Sequence, residues 1–169
     1  DRGGAVIQEL IAQVINADAL SAQERAHARR FGAIARHAEV LGNLCAEARD
    51  GRIYVPLQTL DAAKIPHSDL SAATASKALQ NLIAREAQRS LDEFKQRQAA
   101  LSRAERTRLR PVLVFAALCA RLLERLARGR YTPHPPLDLG AFERTWLACR
   151  TAVRARSHTF TQVFPMLDP

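Results

Sequence analysis

The chain has 169 residues, 47% of them hydrophobic and 25% charged, which suits one domain with a buried core and excludes a disordered chain. No apolar run is long enough to span a membrane, and three scattered cysteines argue against a disulfide framework or a zinc site, which favours a cytoplasmic location. The net charge of +8, carried mainly by arginine, favours an anionic partner: nucleic acid, an acidic lipid surface or a phosphorylated small molecule.

Strong helix formers dominate and no strand pattern appears, so the sequence predicts an all-α helix bundle. The first predicted helix, at 5–16, is amphipathic. Its apolar residues share one face: Val6, Ile7, Leu10, Ile11 and Val14. Ser21 and Glu24 form a capping-box pattern that starts a second helix, which ends at Gly51.

Four further helical segments follow in chain order, at about 57–63, 71–99, 103–128 and 140–155. Pro111 predicts a kink or a late start in the third of these segments. The prediction is therefore a single domain over 1–156 with a loosely held tail over 157–169. The sequence opens without Met at the edge of a helix, so we expect it to be part of something larger.

The stretch "EVLGNLCAEARDGRIYVP" places Glu39, Asn43 and Glu47 four residues apart on one side of the second helix. Carboxylate and amide oxygens in a row suit Mg²⁺, a hard ion that also binds substrate phosphates. Arg49 and Arg52 follow, and arginine binds phosphate oxygens through a planar, bidentate guanidinium. The alternative is an ordinary solvated helix face, and the spacing alone favours that alternative.

The segments "NLCAEARDGRIYVPLQTL" and "DAAKIPHSDL" resemble the squalene/phytoene synthase family. The match is closest over 51–57, where the family carries a Gly-Arg-(Ile/Val)-Tyr-(Leu/Val)-Pro-Leu segment, and looser agreement continues over most of 3–155. The resemblance implies an all-α bundle of the isoprenoid (trans-prenyl diphosphate) synthase type that condenses two prenyl diphosphates head to head with Mg²⁺. It assigns metal binding to Glu39, Asn43 and Glu47, and diphosphate binding to Arg49, Arg52 and Tyr54.

Two departures from the family pattern stand out. The family reads Asn, Asp, Asp where this chain has Glu39, Asn43 and Glu47, and its first aspartate-rich motif has no counterpart here. We therefore expect a chain that lacks the N-terminal helices and does not catalyse the condensation alone. A second copy or a partner chain would supply the missing half, and an isoprenoid lipid or prenyl diphosphate would be the ligand.

The main alternative is a non-catalytic relative that binds lipid or assists assembly. Peripheral association with an anionic membrane remains open, whereas nucleic-acid binding ranks last because no motif supports it. The five histidines are expected at the surface, Trp146 in the core, and both Cys119 and Cys149 buried. Tyr131 aligns loosely with a family tyrosine, but packing at a helix end explains it equally well.

Overall fold

The computed structural model describes residues 2–16, 19–129, 131 and 139–156. Within these ranges the chain forms helices and no strand, so the predicted all-α bundle is confirmed. The helices in chain order are α1 (Arg2–Ile15), α2 (Ala22–Arg49), α3 (Leu57–Ala62), α4 (His67–Ser71), α5 (Lys77–Ala100), α6 (Arg103–Arg108), α7 (Arg110–Ala127) and α8 (Ala141–Arg156).

The predicted start and stop signals operate where the sequence places them. The Glu24 backbone N–H donates to Ser21 Oγ at 3.1 Å, and the Ser21 N–H donates to Glu24 Oε2 at 2.7 Å. Gly51 follows the end of α2 with φ of 78°, in the left-handed region that glycine adopts without steric cost. Pro111 lies in the first turn of α7, where no intrahelical donor is lost, so the predicted late start is confirmed.

The core lies where α2, α5 and α7 pack together. Phe31 of α2 and Phe94 of α5 meet edge to face with their ring centroids 5.8 Å apart. Each of these two helices buries an apolar stripe, and the stripes comprise Phe31, Ile34, Ala38, Leu41, Leu44, Leu79, Leu82, Ile83, Leu91 and Phe94. Helix α8 packs against α7 and α6.

Helix α1 has the predicted apolar face, but that face points away from the bundle. Val14 is 84% exposed and Ile7 56% exposed, whereas Glu9 is only 7% exposed. Glu9 forms an ion pair with Arg29 and lies 3.9 Å from Arg25, so the buried carboxylate is compensated. The polar and small side of α1 therefore packs on α2, which leaves an apolar helix face on the surface.

Two expectations for the last helix are wrong. Trp146 is 41% exposed, and Cys149 is exposed rather than buried. Ion pairs at 2.8 Å from Arg121 and 2.5 Å from Arg125 attach Glu143 of this helix to α7. Much of the remaining surface of α8 is exposed to solvent. Cys119 is buried as expected, and burial raises its pKa to about 12.

None of the helices that the structure describes is long and apolar enough to cross a membrane. The tail predicted over 157–169 lies outside the described residues, so the proposed domain boundary stays a prediction.

Candidate functional site

The carboxyl-terminal half of α2 presents Glu39, Asn43 and Glu47 on one side of the helix. Asn43 is exposed, and the two glutamates are partly exposed. At about 1.5 Å rise per residue, four residues separate neighbouring members of this row by about 6 Å along the helix axis. The structure therefore provides an accessible row of side-chain oxygens at the predicted position.

Both glutamates in this row already have arginine partners. Arg36 Nη1 lies 3.2 Å from Glu39 Oε2, and Arg52 Nε lies 2.6 Å from Glu47 Oε2. Arg52 also donates to Asp50 Oδ2 at 2.9 Å, and its hydrogen bond to Glu47 is the main reason its pKa is raised. The row is thus a series of ion pairs rather than a concentration of negative charge.

The Gly-Arg turn places Arg52 beside this row. The positive φ of Gly51 reverses the chain at the end of α2, and the Arg52 N–H donates to the Glu47 carbonyl oxygen at 2.8 Å. Tyr54, which follows, is half exposed, and the Arg36 guanidinium lies 5.4 Å from the centroid of its ring. The predicted diphosphate ligands Arg52 and Tyr54 therefore lie beside the predicted metal ligands.

Arg49 has different surroundings. It lies two residues after Glu47, and residues two apart on an α-helix project in nearly opposite directions. Its Nη2 donates to the Ala72 carbonyl oxygen at 2.8 Å, while Nη1 is buried without a hydrogen-bond partner. Arg49 therefore joins α2 to the end of α4, and its binding of diphosphate stays a prediction.

A resident metal ion does not fit this arrangement. The described residues bring no three His, Cys, Asp or Glu side chains together as a metal site. Glu39 and Glu47 are about 12 Å apart along the axis, whereas Mg²⁺ ligands lie about 2 Å from the ion, so one ion cannot take both. Asn43 with one neighbouring glutamate fits an ion that arrives with a diphosphate, because diphosphate oxygens and water complete its coordination.

Tyr131 contacts α2 directly, which the sequence did not reveal. Its hydroxyl oxygen accepts a hydrogen bond from the Cys45 backbone N–H at 3.1 Å, between the positions of Asn43 and Glu47. The side chain is buried, and this burial raises the pKa of the phenol above its ordinary value. Tyr131 thus contacts the part of α2 that carries the candidate site.

His37 is not the surface residue that we expected. Its Nδ1 lies 2.7 Å from Ser90 Oγ of α5, in a cleft of about 350 Å³ between α2, α5 and the segment at 54–56. Burial is the main reason that its pKa is lowered. The helical spacing of His37 from Ile34 and Leu41 was the available signal, since it places the ring on the buried stripe.

The partly buried ring of His37 should make the stability of the protein depend on pH. Because its pKa is lowered in the folded state, the contribution is complete above the ordinary value of 6.5 and is lost as pH falls below it. We expect the stability advantage of the wild type over His37→Gln to shrink between pH 7.5 and 5, measured by urea unfolding. Parallel stability curves for the wild type and His37→Gln over this pH range would contradict the assignment.

Comparison with known proteins agrees with this architecture. The profile of the squalene/phytoene synthase family matches residues 3–143, which confirms the resemblance. The fold is the all-α fold of isoprenoid synthases, and the chain belongs to the squalene/phytoene synthase family. None of the curated proteins compared with the chain matches it significantly.

Proposed function

We propose that this chain binds a prenyl diphosphate with Mg²⁺ along α2 and forms one wall of a site for head-to-head condensation of two such molecules. Membership of the squalene/phytoene synthase family supports an isoprenoid function. The observation that carries the proposal is the turn at 51–54, which brings Arg52 and Tyr54 to the row of Glu39, Asn43 and Glu47.

The residues have separate functions in this proposal. Asn43 and a neighbouring glutamate would hold Mg²⁺, which when bound acts as a Lewis acid on the diphosphate oxygens. Arg52 would exchange a carboxylate partner for a phosphate oxygen, since its guanidinium is at the surface and suits either anion. The exposed ring of Tyr54 would lie against the ligand. Arg49 would contribute positive charge from the opposite side of α2.

The proposal assigns catalysis to an assembly rather than to this chain alone. The sequence contains no Asp-xxx-Asp pair that could provide the first metal-binding motif. A partner chain of different sequence would provide that motif, and the exposed apolar face of α1 offers a surface for association.

A non-catalytic relative is the second candidate, and one observation favours it. Each glutamate of the row is neutralised by an arginine, and a chain that handled Mg²⁺ would have to break these pairs. In this reading the protein binds an isoprenoid lipid or assists assembly without chemistry.

Calorimetric titration with farnesyl diphosphate, with and without Mg²⁺, tests the proposal. Saturable binding that requires Mg²⁺ is expected if the row acts as a diphosphate site. Binding that does not depend on Mg²⁺, or no binding at all, would favour the non-catalytic candidate.

Glu47→Ala separates the two candidates further. We expect it to weaken Mg²⁺-dependent binding about tenfold, a change of about 1.4 kcal/mol, with unchanged helix content. If Glu47 only neutralises Arg52, its removal frees that guanidinium and strengthens Mg²⁺-independent binding instead. Asp61→Ala, at an exposed carboxylate of α3, is the matched control and should bind like the wild type.

A further inference from the structure

A second cleft, of about 710 Å³, lies between α5, α7 and α8. Phe94, Leu113 and Trp146 give it an apolar lining, and its volume is in the range of small-molecule sites. It shares no lining residue with the row on α2 or with the Gly-Arg turn. The cleft is therefore a separate feature of the molecule.

More cationic than acidic side chains line this cleft. Five cations line it (Lys95, Arg106, Arg121, Arg150 and Arg154) against two carboxylates (Glu124 and Glu143). Both carboxylates are already bound by Arg121, whose Nη1 lies 2.6 Å from Glu124 and whose Nε lies 2.8 Å from Glu143. The hydrogen bond from Arg121 lowers the pKa of Glu143, so this pairing involves an ionised acid.

Two of the lining cations have no carboxylate partner among the described residues: Arg106 and Lys95. Arg106 Nη2 makes only long contacts, 3.3 Å to the Gln98 carbonyl oxygen and 3.5 Å to that of Ala99. Its Nε is buried and has no hydrogen-bond partner. A buried guanidinium donor without an acceptor is uncommon in folded proteins, and an anionic ligand would satisfy it.

We propose that this cleft binds a single-chain lipid phosphate, with the phosphate at Arg106 and Lys95 and the hydrocarbon chain against Phe94 and Trp146. Arginine and lysine together suit a phosphate group, and the apolar lining removes a chain from water. The Arg150 guanidinium lies 5.0 Å from the centroid of the Trp146 ring, which places a further positive charge beside this lining. The site is independent of the proposed diphosphate function on α2.

Trp146 is the one tryptophan of the chain, so its fluorescence reports on this cleft. Dodecyl phosphate, titrated below its micelle-forming concentration, should produce a saturable blue shift of the emission. Arg106→Gln should weaken this binding at least tenfold, and Lys77→Gln, at an exposed lysine on the same helix as Lys95 but outside the cleft, should not. Equal affinity of the wild type and Arg106→Gln would overturn the proposal.

Lys95→Glu provides a second test that does not depend on a buried group. This side chain is exposed, so the variant should fold, and a reversed charge should weaken binding at least tenfold. Inorganic phosphate and dodecanol, each tested alone, should bind more weakly than dodecyl phosphate because each lacks one half of the ligand. Equally tight binding of dodecanol would contradict recognition of the phosphate.

The α2 variant Glu47→Ala shows whether the two sites are distinct. It should bind dodecyl phosphate like the wild type, since Glu47 does not line the cleft. If it loses the fluorescence response together with farnesyl diphosphate binding, the ligand lies at α2 and the separate cleft site is wrong. If it loses only the latter, the cleft proposal stands whatever becomes of the proposed function.

Discussion

Gly32→Ala should destabilise the protein, whereas Gly42→Ala, the same change ten residues further along α2, should stabilise it. At Gly32 an added methyl group would meet the Gly4 carbonyl oxygen of α1 well inside van der Waals contact, and it would lie 3.0 Å from the Ala5 Cα. At Gly42, apart from its chain neighbours and the backbone of the same helix turn, no atom lies within 4 Å of the added group. The two variants therefore share the gain in helix propensity and differ only in what the methyl group contacts.

The expected magnitudes follow from these surroundings. Removing glycine from a helix interior contributes about 0.5–1 kcal/mol of stability, the gain expected at Gly42. At Gly32 the obstacle is backbone, which cannot rotate aside, so α1 must move and the net cost should be about 1–3 kcal/mol. For a chain of this size each kcal/mol shifts Tm by roughly 2–4 °C.

Thermal unfolding of the two variants, followed by far-UV circular dichroism, measures this difference. Amide hydrogen exchange locates it: in Gly32→Ala, α1 should exchange faster while α5 and α7 keep their protection. Equal Tm values for the two variants would show that α1 does not pack closely on α2 at this crossing.

The orientation of α1 shows that the sequence pattern alone does not determine which face of a helix packs against the bundle. Hydrophobic spacing identified the helix correctly but could not tell which face packs inward. That choice depends on Gly4 and Gly32, whose missing side chains let the two backbones approach, and on Glu9, which finds Arg29 only in the folded chain. In α2 and α5 the apolar residues face the core, as amphipathic spacing predicts, because both helices pack against the centre of the bundle.

The candidate site likewise has some features that the sequence predicts and others that only the structure shows. The row of Glu39, Asn43 and Glu47 and the turn at Gly51 follow from local spacing and glycine geometry, so the sequence located them. The partners of those residues depend on side-chain positions that no spacing rule specifies. Likewise, the contact between His37 and Ser90 joins residues 53 positions apart, and local patterns carry no information about such pairs.

Tyr131→Phe and Tyr131→Ala test the contact between Tyr131 and the part of α2 that carries the candidate site. The phenylalanine variant keeps the buried ring and loses the acceptor for the Cys45 N–H, which should cost about 1 kcal/mol. The alanine variant also loses the ring from the core and leaves a cavity, so its cost should be about 3–5 kcal/mol. Urea unfolding measures both values, and Tyr54→Phe, at a half-exposed tyrosine, should change stability by less than about 0.5 kcal/mol.

Urea unfolding at a series of pH values tests whether the hydroxyl of Tyr131 causes the stability difference between the wild type and Tyr131→Phe. Because burial raises the pKa of Tyr131, its contribution is present below the ordinary phenol value of 10.0 and is lost as pH rises through the folded-state value. The deficit of Tyr131→Phe relative to the wild type should therefore shrink above about pH 10, since phenylalanine has no proton to lose. A constant deficit would mean that the phenol has the same pKa in the folded and unfolded states. A wild-type stability for the alanine variant would show that Tyr131 does not hold α2 at all.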